Sequence, residues 1–299
     1  MAMDTRARRR RLEGEEEEDR LDRISVLPDG VLGEIVSLLP TEDGARTQIL
    51  SSRWRPIWRS APLNLDFHGR SILQGIRAVE ISRILSSHPG PGRRFSIPRR
   101  AVKDCSATLE ATLDAWLRSP GLNSLQELEF YLGFKQPRPP RRFASTLRVA
   151  SFGGCVFPDG DDASALHLPV LKQLSLLDVT ISESSPHFLL AACPVLQSLM
   201  LTGISGCSRI RIMSRTVRSI AIRVQYRWER AVKVQQLIIQ DAPCLERLLL
   251  LGQGQVYYAP LRTPPPSKQI ATRAGTLRYG HLSNLGAKIV CFGATPLGR

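Results

Sequence analysis

The sequence predicts a mixed α/β chain: a small bundle of three helices, then a solenoid of stacked units with parallel strands on its concave face. Three observations carry this expectation. Apolar residues recur at helical spacing between residues 22 and 60, punctuated by Pro28, Pro40 and Pro56. After residue 120, one apolar-x-x-apolar-x-apolar unit returns six times at a near-constant interval. The 299 residues are 42% apolar and 23% charged, a composition that supports a packed core.

The first element is a tail. Residues 1–21 hold five arginines between Arg6 and Arg11, then Glu13 and the acidic run Glu15 to Asp19. Charge blocks of this kind repel and stay solvated, so this segment is expected to be disordered. It runs directly into charge with no apolar h-region, so no secretory signal is expected. Six widely spaced cysteines without a Cys-x-x-Cys pair point to reduced thiols, in the nucleus and/or the cytoplasm.

Residues 22–67 form the helical unit. Asp29 is placed to cap a first helix after Pro28, with Val31, Leu32, Ile35, Val36, Leu38 and Leu39 at helical spacing. Pro40 ends that helix and Thr41 is placed to cap the next. Ala45, Ile49 and Leu50 make its apolar side, and Trp54, Ile57 and Trp58 belong to a third. Pro56 inside the third helix would cost roughly 3 kcal/mol if it fell in a helix interior, so that helix is expected to be short or bent. So small a bundle has more apolar side chains than its core can hide.

Residues 68–120 read as a helical linker and cap of the repeats. Ile72, Leu73, Ile76, Val79 and Ile84 suit one helix, Phe95 and Ile97 a short strand, and Leu109, Leu113, Trp116 and Leu117 a second helix.

Residues 121–255 carry the repeat. Its units are Leu125/Leu128/Phe130, Leu147/Ala150/Phe152, Leu171/Leu174/Leu176, Leu196/Leu199/Leu201, Val217/Ile220/Ile222 and Leu245/Leu248/Leu250. A period of about 21–28 residues is that of leucine-rich repeats. The last two positions of each unit lie two apart, as one face of a strand requires. No unit can bury its apolar face alone, so stacking makes the array fold. Residues 256–299 read as a Pro-rich loop, with Pro260 and Pro264 to Pro266, and a closing segment.

The search for chemistry returns no catalytic residue, no metal set and no expected cofactor. No phosphate-binding loop, dinucleotide fingerprint or nucleophile elbow is present, and the five histidines are isolated. Asp159, Asp161 and Asp162 read as an acidic turn, since the rest of a calcium loop is missing. Nothing approaches the length of a membrane-spanning apolar run.

The net charge of +14 resides in the C-terminal part, where residues 68–299 carry thirty Lys/Arg against fourteen acids. Arg209, Arg211, Arg215, Arg218 and Arg223 form the densest group; Arg138, Arg141 and Arg142 form another. Solvated faces are the plain explanation. The functional one is a surface that grips an acidic or phosphorylated protein target. Nucleic acid is the weaker option, because aromatics are 6% of the chain and are not interleaved with these arginines.

Residues 22–67 resemble an F-box of the plant type. The resemblance lies in the Leu27-Pro28 opening, the Ile35-x-x-Leu38-Leu39-Pro40-Thr41 helix end and the Ile49-Leu50-Ser51-x-Arg53-Trp54 run with Trp58. The stretches from His88 to Ile97, Asp114 to Pro120 and Leu125 to Phe130 are similar to plant F-box/leucine-rich-repeat proteins, a resemblance that covers about residues 22–255. The segment from Leu277 to Phe292 partly resembles the FBD domain that closes many of them. The ending Gly-Ala-Thr-Pro-Leu-Gly-Arg departs from it, which raises a shortened product as a reading.

The resemblance implies a non-catalytic substrate-recognition adaptor of an SCF-type (Skp–cullin–F-box) E3 ubiquitin ligase. Leu27, Pro28, Ile35, Leu38, Leu39, Ile49, Leu50 and Trp54 would contact the Skp adaptor and through it the cullin, while the repeats bind the target. Leu32, Val31 and Trp58 compete as core rather than contact residues. The alternatives are a Skp-binding repeat protein without ubiquitination activity and a basic nucleic-acid-associated protein.

Overall fold

Local signals set the helices. In a computed structural model of the chain, which describes residues 23–66, 77–88, 90–97, 109–131, 141–157, 167–223, 234–250, 268–271, 280–282 and 287–292, helix α1 spans Asp29–Leu38. Pro28 stands at its N-cap, and Asp29 is its first helical residue rather than a side-chain cap. The Asp29 carboxylate turns instead to Arg53. Pro40 plays the same part for α2, Thr41–Arg46, so Thr41 also falls inside its helix. A short 3₁₀ turn, Thr47–Ile49, leads towards α3, Trp54–Ser60. Pro56 is the third residue of α3. The first turn of a helix has no intrahelical use for its N–H groups, so the proline costs little there.

Contacts divide the chain into two units, Met1–Ala61 and Pro62–Arg299. In the first, Leu32, Val36, Trp54, Ile57 and Trp58 are buried and form the core. Gly44 makes this packing possible. A Cβ on it would fall 2.4 Å from the Trp58 ring, so α2 lies against the indole only because the side chain is missing.

The second unit is a mixed α/β arrangement built on a largely parallel sheet. Strands β1 (Leu63–Asp66), β2 (Gly92–Ile97), β3 (Glu127–Tyr131), β4 (Val149–Gly153), β5 (Gln173–Leu177), β6 (Ser198–Thr202), β8 (Ser219–Arg223) and β10 (Arg247–Leu250) pair in parallel in that order. β11 (Lys268–Ala271) closes the edge antiparallel to β10. All six repeat units land on these strands. Leu128, Ala150, Leu174, Leu199, Ile220 and Leu248 are in register across the sheet, and so are Phe130, Phe152, Leu176, Leu201, Ile222 and Leu250. The leading residues Leu125, Leu147, Leu171, Leu196 and Val217 are fully buried. Each coil turns just past its strand on a left-handed residue in three successive units: Gly154 (φ 65°), Asp178 (φ 53°) and Gly203 (φ 65°).

Three features differ from expectation. The strand Leu63–Asp66, placed by sequence with the helices, pairs with β2 and belongs to the sheet. Helix α4, Ala78–Ser87, buries Ile81 and Leu85 and exposes Val79, which had been assigned to its apolar side; Ile72, Leu73 and Ile76 lie outside the described residues. A second sheet of four strands lies outside the expectation. It comprises β7 (Arg209–Met213), β9 (Gln236–Gln240), β12 (Gly280–Leu282) and β13 (Ala287–Phe292). The alternation Arg-Ile-Arg-Ile-Met in β7 puts Ile210 and Ile212 inside and the other three out, a period-two signal that was legible. Helices α5 (Leu109–Leu117) and α6 (Ser185–Ala192) lie between strands in sequence, and Trp116 of α5 donates to the Ser82 hydroxyl of α4 at 2.7 Å. The tail 1–21, the Pro-rich stretch and Asp159 to Asp162 lie outside the described residues.

Gly44→Ala tests the packing of the bundle. Replacing a helical glycine by alanine ordinarily stabilises by about 0.5–1 kcal/mol. Here the overpacking against Trp58 is expected to destabilise by about 1–3 kcal/mol, read by thermal or urea unfolding.

Candidate functional site

The helical unit leaves a large apolar surface in water. On α1, Leu32 and Val36 point inward one turn apart, so Val31, Ile35 and Leu38, at i, i+4 and i+7, share the opposite side and are exposed. Leu38 is 58% exposed. Ile49 and Leu50, at the end of the 3₁₀ turn, are 85% and 64% exposed. Pro28 is exposed, and Leu27 and Leu39 are half-buried. Seven of the eight residues expected to contact an adaptor therefore reach solvent at least in part. Trp54 does not. At 5% exposure it is a core residue beside Ile57 and Trp58, because the first turn of α3 faces inward. Of the residues weighed as core, Leu32 and Trp58 are buried and Val31 is not. The sequence pattern did not single out Ile24 and Val26, both exposed just ahead of α1.

The five arginines of the proposed basic patch do not share one sheet. Arg209 and Arg211 stand on the outward side of β7 in the second sheet, while Arg223 ends β8 in the long sheet. Arg215 pairs with Asp241 at 3.1 Å, and Arg218 with Glu246 at 3.0 Å, both at exposed positions. Arg209 and Arg211 fall in a different sheet from Arg223 because β7 leaves the long sheet between β6 and β8. Arg142, from another basic group, is structural. Its guanidinium donates to the carbonyls of Leu117, Arg118 and Ser119 and to Asn123 Oδ1, satisfying the C-terminal end of α5. Burial holds its pKa below the ordinary arginine value.

The face of the long sheet opposite the core has its own chemistry. Arg94 on β2 lies 3.3 Å from Asp66, 3.2 Å from Glu127 and 3.9 Å from Glu129. The Ser96 hydroxyl donates to Glu129 at 2.9 Å. The first three strands thus expose more acid than base, the reverse of the net charge of the chain. Tyr131 reaches across β4 to donate its hydroxyl to Asp178.

Among the described residues, no group of three or more His, Cys, Asp or Glu could hold a metal, and no helix is long and apolar enough to cross a membrane. A void beneath α6, lined by Phe157, Leu176, Leu189, Leu199, Ile210 and Ile212 among others, measures about 10 Å³, room for one water. Cys155, Cys193 and Cys207 are buried and free, and burial pushes their thiols up to about 11, 12 and 11, with Glu183 adding to the rise at Cys207.

Fold and surface together define a class: a small helical module with an uncovered apolar face, followed by a leucine-rich-repeat array. Residues 113–264 match the family described as FBD-associated F-box protein At5g56370, LRR repeats. The F-box/LRR-repeat protein At3g03360 of Arabidopsis thaliana is 29% identical over 234 residues, covering 75% of this chain and 47% of that protein. The FBD-associated F-box protein At5g56370, from the same plant, is 32% identical over 191 residues, covering 61% of this chain and 44% of its own length. The F-box/FBD/LRR-repeat protein At1g13570, also from Arabidopsis thaliana, is 26% identical over 189 residues, with 60% and 44% covered. The chain belongs to the plant F-box/LRR protein family, and it spans about half the length of these curated relatives.

Two measurements follow. Trp54→Ala is expected to cost about 3–5 kcal/mol of stability, whereas Ile49→Ala should stay within about 0.5 kcal/mol of wild type; unfolding curves decide. The three buried thiols keep their protons when folded, whereas unfolded thiols release theirs near pH 8.5. The unfolded chain therefore binds fewer protons above that pH, and this contribution to stability, fully present below about pH 8.5, is lost as pH rises towards 11–12. The urea midpoint should decline above pH 9, and exposed Cys244 should react with a thiol reagent in the folded protein while Cys155, Cys193 and Cys207 do not.

Proposed function

We propose that the chain is a substrate-recognition adaptor of an SCF-type E3 ubiquitin ligase. Its helical unit, a three-helix F-box, docks on a Skp-type adaptor, and its repeat unit holds the target. The observation that carries the reading is the run of solvent-exposed Leu, Ile and Val side chains on a unit whose core is only a handful of residues. So many exposed large apolar side chains on so small a module suit an interface with a partner. Pro28, Ile35, Leu38, Ile49 and Leu50 are the contact residues, with half-buried Leu27 and Leu39 at the margin. Trp54 supports them from the core.

No group in this chain breaks or forms a bond in this scheme. The contribution is effective concentration: the target's lysines are held near a ubiquitin-loaded enzyme recruited through the cullin. An acidic or phosphorylated target is the partner that Arg209 and Arg211 suit, being exposed two apart on β7 with no acid on that strand. A nuclear or cytoplasmic setting goes with this role.

The test is titration of the full chain with a purified Skp-type adaptor. Ile49→Asp/Leu50→Asp is expected to lower affinity at least about 100-fold with an unchanged thermal midpoint, since truncation of central anchors typically costs 2 kcal/mol or more each. Equal binding by this variant would refute the docking surface. Reconstitution with cullin and RING subunits then separates a ligase adaptor from a Skp-binding protein without ubiquitination activity, and Arg209→Glu/Arg211→Glu should release the target without affecting the adaptor.

A further inference from the structure

Arg53 precedes α3, and its guanidinium reaches back to the turn that leads into α1. Nη2 donates to the Leu27 carbonyl at 2.5 Å, and Nη1 donates to the Ser25 carbonyl. Nε donates to Asp29 Oδ1 at 2.8 Å. One planar fork thus holds acceptors on three alternate residues, 25, 27 and 29. The turn itself is closed by the Leu27 N–H on the Ile24 carbonyl at 3.1 Å. Apolar burial does little to hold it. Ile24 and Val26 are 55% and 76% exposed, Pro28 is exposed and Leu27 is only half-buried.

We propose that Arg53 is the positioning residue of the docking surface: by clamping the Ser25 and Leu27 carbonyls it fixes where Ile24, Val26, Leu27 and Pro28 present themselves to the adaptor. The inference rests on the docking reading above and adds to it a group that acts through the turn rather than by contact. Only arginine fits the task, because its five N–H donors lie in one rigid plane. A lysine ammonium could keep the charge opposite Asp29 but could not span both carbonyls in that geometry. The ion pair is the lesser part of the clamp, since the Asp29 side chain is 68% exposed and such surface pairs contribute little. Placement of an apolar anchor before association spares the ordering cost on binding, and so appears as affinity.

The experiment uses the full chain and four variants: Arg53→Lys, Asp29→Asn, Leu27→Ala and Leu27→Ala/Arg53→Lys. Three quantities are read: the Kd for a purified Skp-type adaptor, the thermal midpoint, and the exchange rate of the Leu27 amide in the free chain. Arg53→Lys is expected to bind about tenfold more weakly at an unchanged midpoint, and its Leu27 amide to exchange at least about tenfold faster. Asp29→Asn should bind as wild type. The double variant should lose less than the product of the two single penalties, because the Leu27 side chain, part of what the clamp positions, is already gone. A merely structural arginine would instead lower the midpoint and give penalties that multiply, and that result overturns the proposal. So does a Leu27 exchange rate unmoved by Arg53→Lys, whatever the adaptor does. A wild-type chain that fails to bind the adaptor overturns the docking reading, and this inference with it.

Discussion

The two units meet one constraint, that a small element cannot bury its own apolar face, in opposite ways. Each repeat offers two strand side chains and a leading residue that would stand in water alone. The array answers by translation: every coil lays the same two rows beside those of its neighbours, so Leu174 and Leu176 are covered because Ala150, Phe152, Leu199 and Leu201 stand in register with them. The helical unit has no such neighbour among its own elements. Leu32, Val36, Ile57 and the two tryptophans fill its centre, and the other sides of α1 and of the 3₁₀ turn remain wet. The difference is plain in the surfaces: the repeats cover one another's apolar rows, and the bundle leaves part of its apolar surface in water.

Charge tells a similar story of position over composition. The chain is strongly basic, yet several arginines are already committed. Arg142 seals the end of α5, Arg53 ties down the turn before α1, and Arg215 and Arg218 face carboxylates one coil further on. Arg94 is outnumbered by the acids around it. Net charge therefore misjudges what any one face offers; Arg209 and Arg211, whose strand carries no acid, stand apart from these.

Much of this architecture was legible in the residues. The repeat spacing located six strands and their register, because a unit that returns six times at one spacing stacks its apolar positions row upon row. The surplus of apolar side chains around α1 was also legible, from the size of the segment alone. What failed was what depends on a single residue's surroundings. Trp54 reads as an interface residue until the inward turn of α3 buries it. Asp29 and Thr41 look like caps until Pro28 and Pro40 take those positions. The five arginines follow one another in sequence, and β7 carries two of them into its own sheet. The period-two alternation of that strand is present in the sequence, inside the interval between two units of the longer repeat.

Hydrogen–deuterium exchange of the full chain, with and without a purified Skp-type adaptor, probes the central claim most directly. The account predicts that protection on adding the adaptor is confined to the helical unit, over residues 24–39 and 47–50, with the strands of the long sheet unchanged. Protection that falls on the sheet and spares those segments, or none at saturating adaptor, would contradict it.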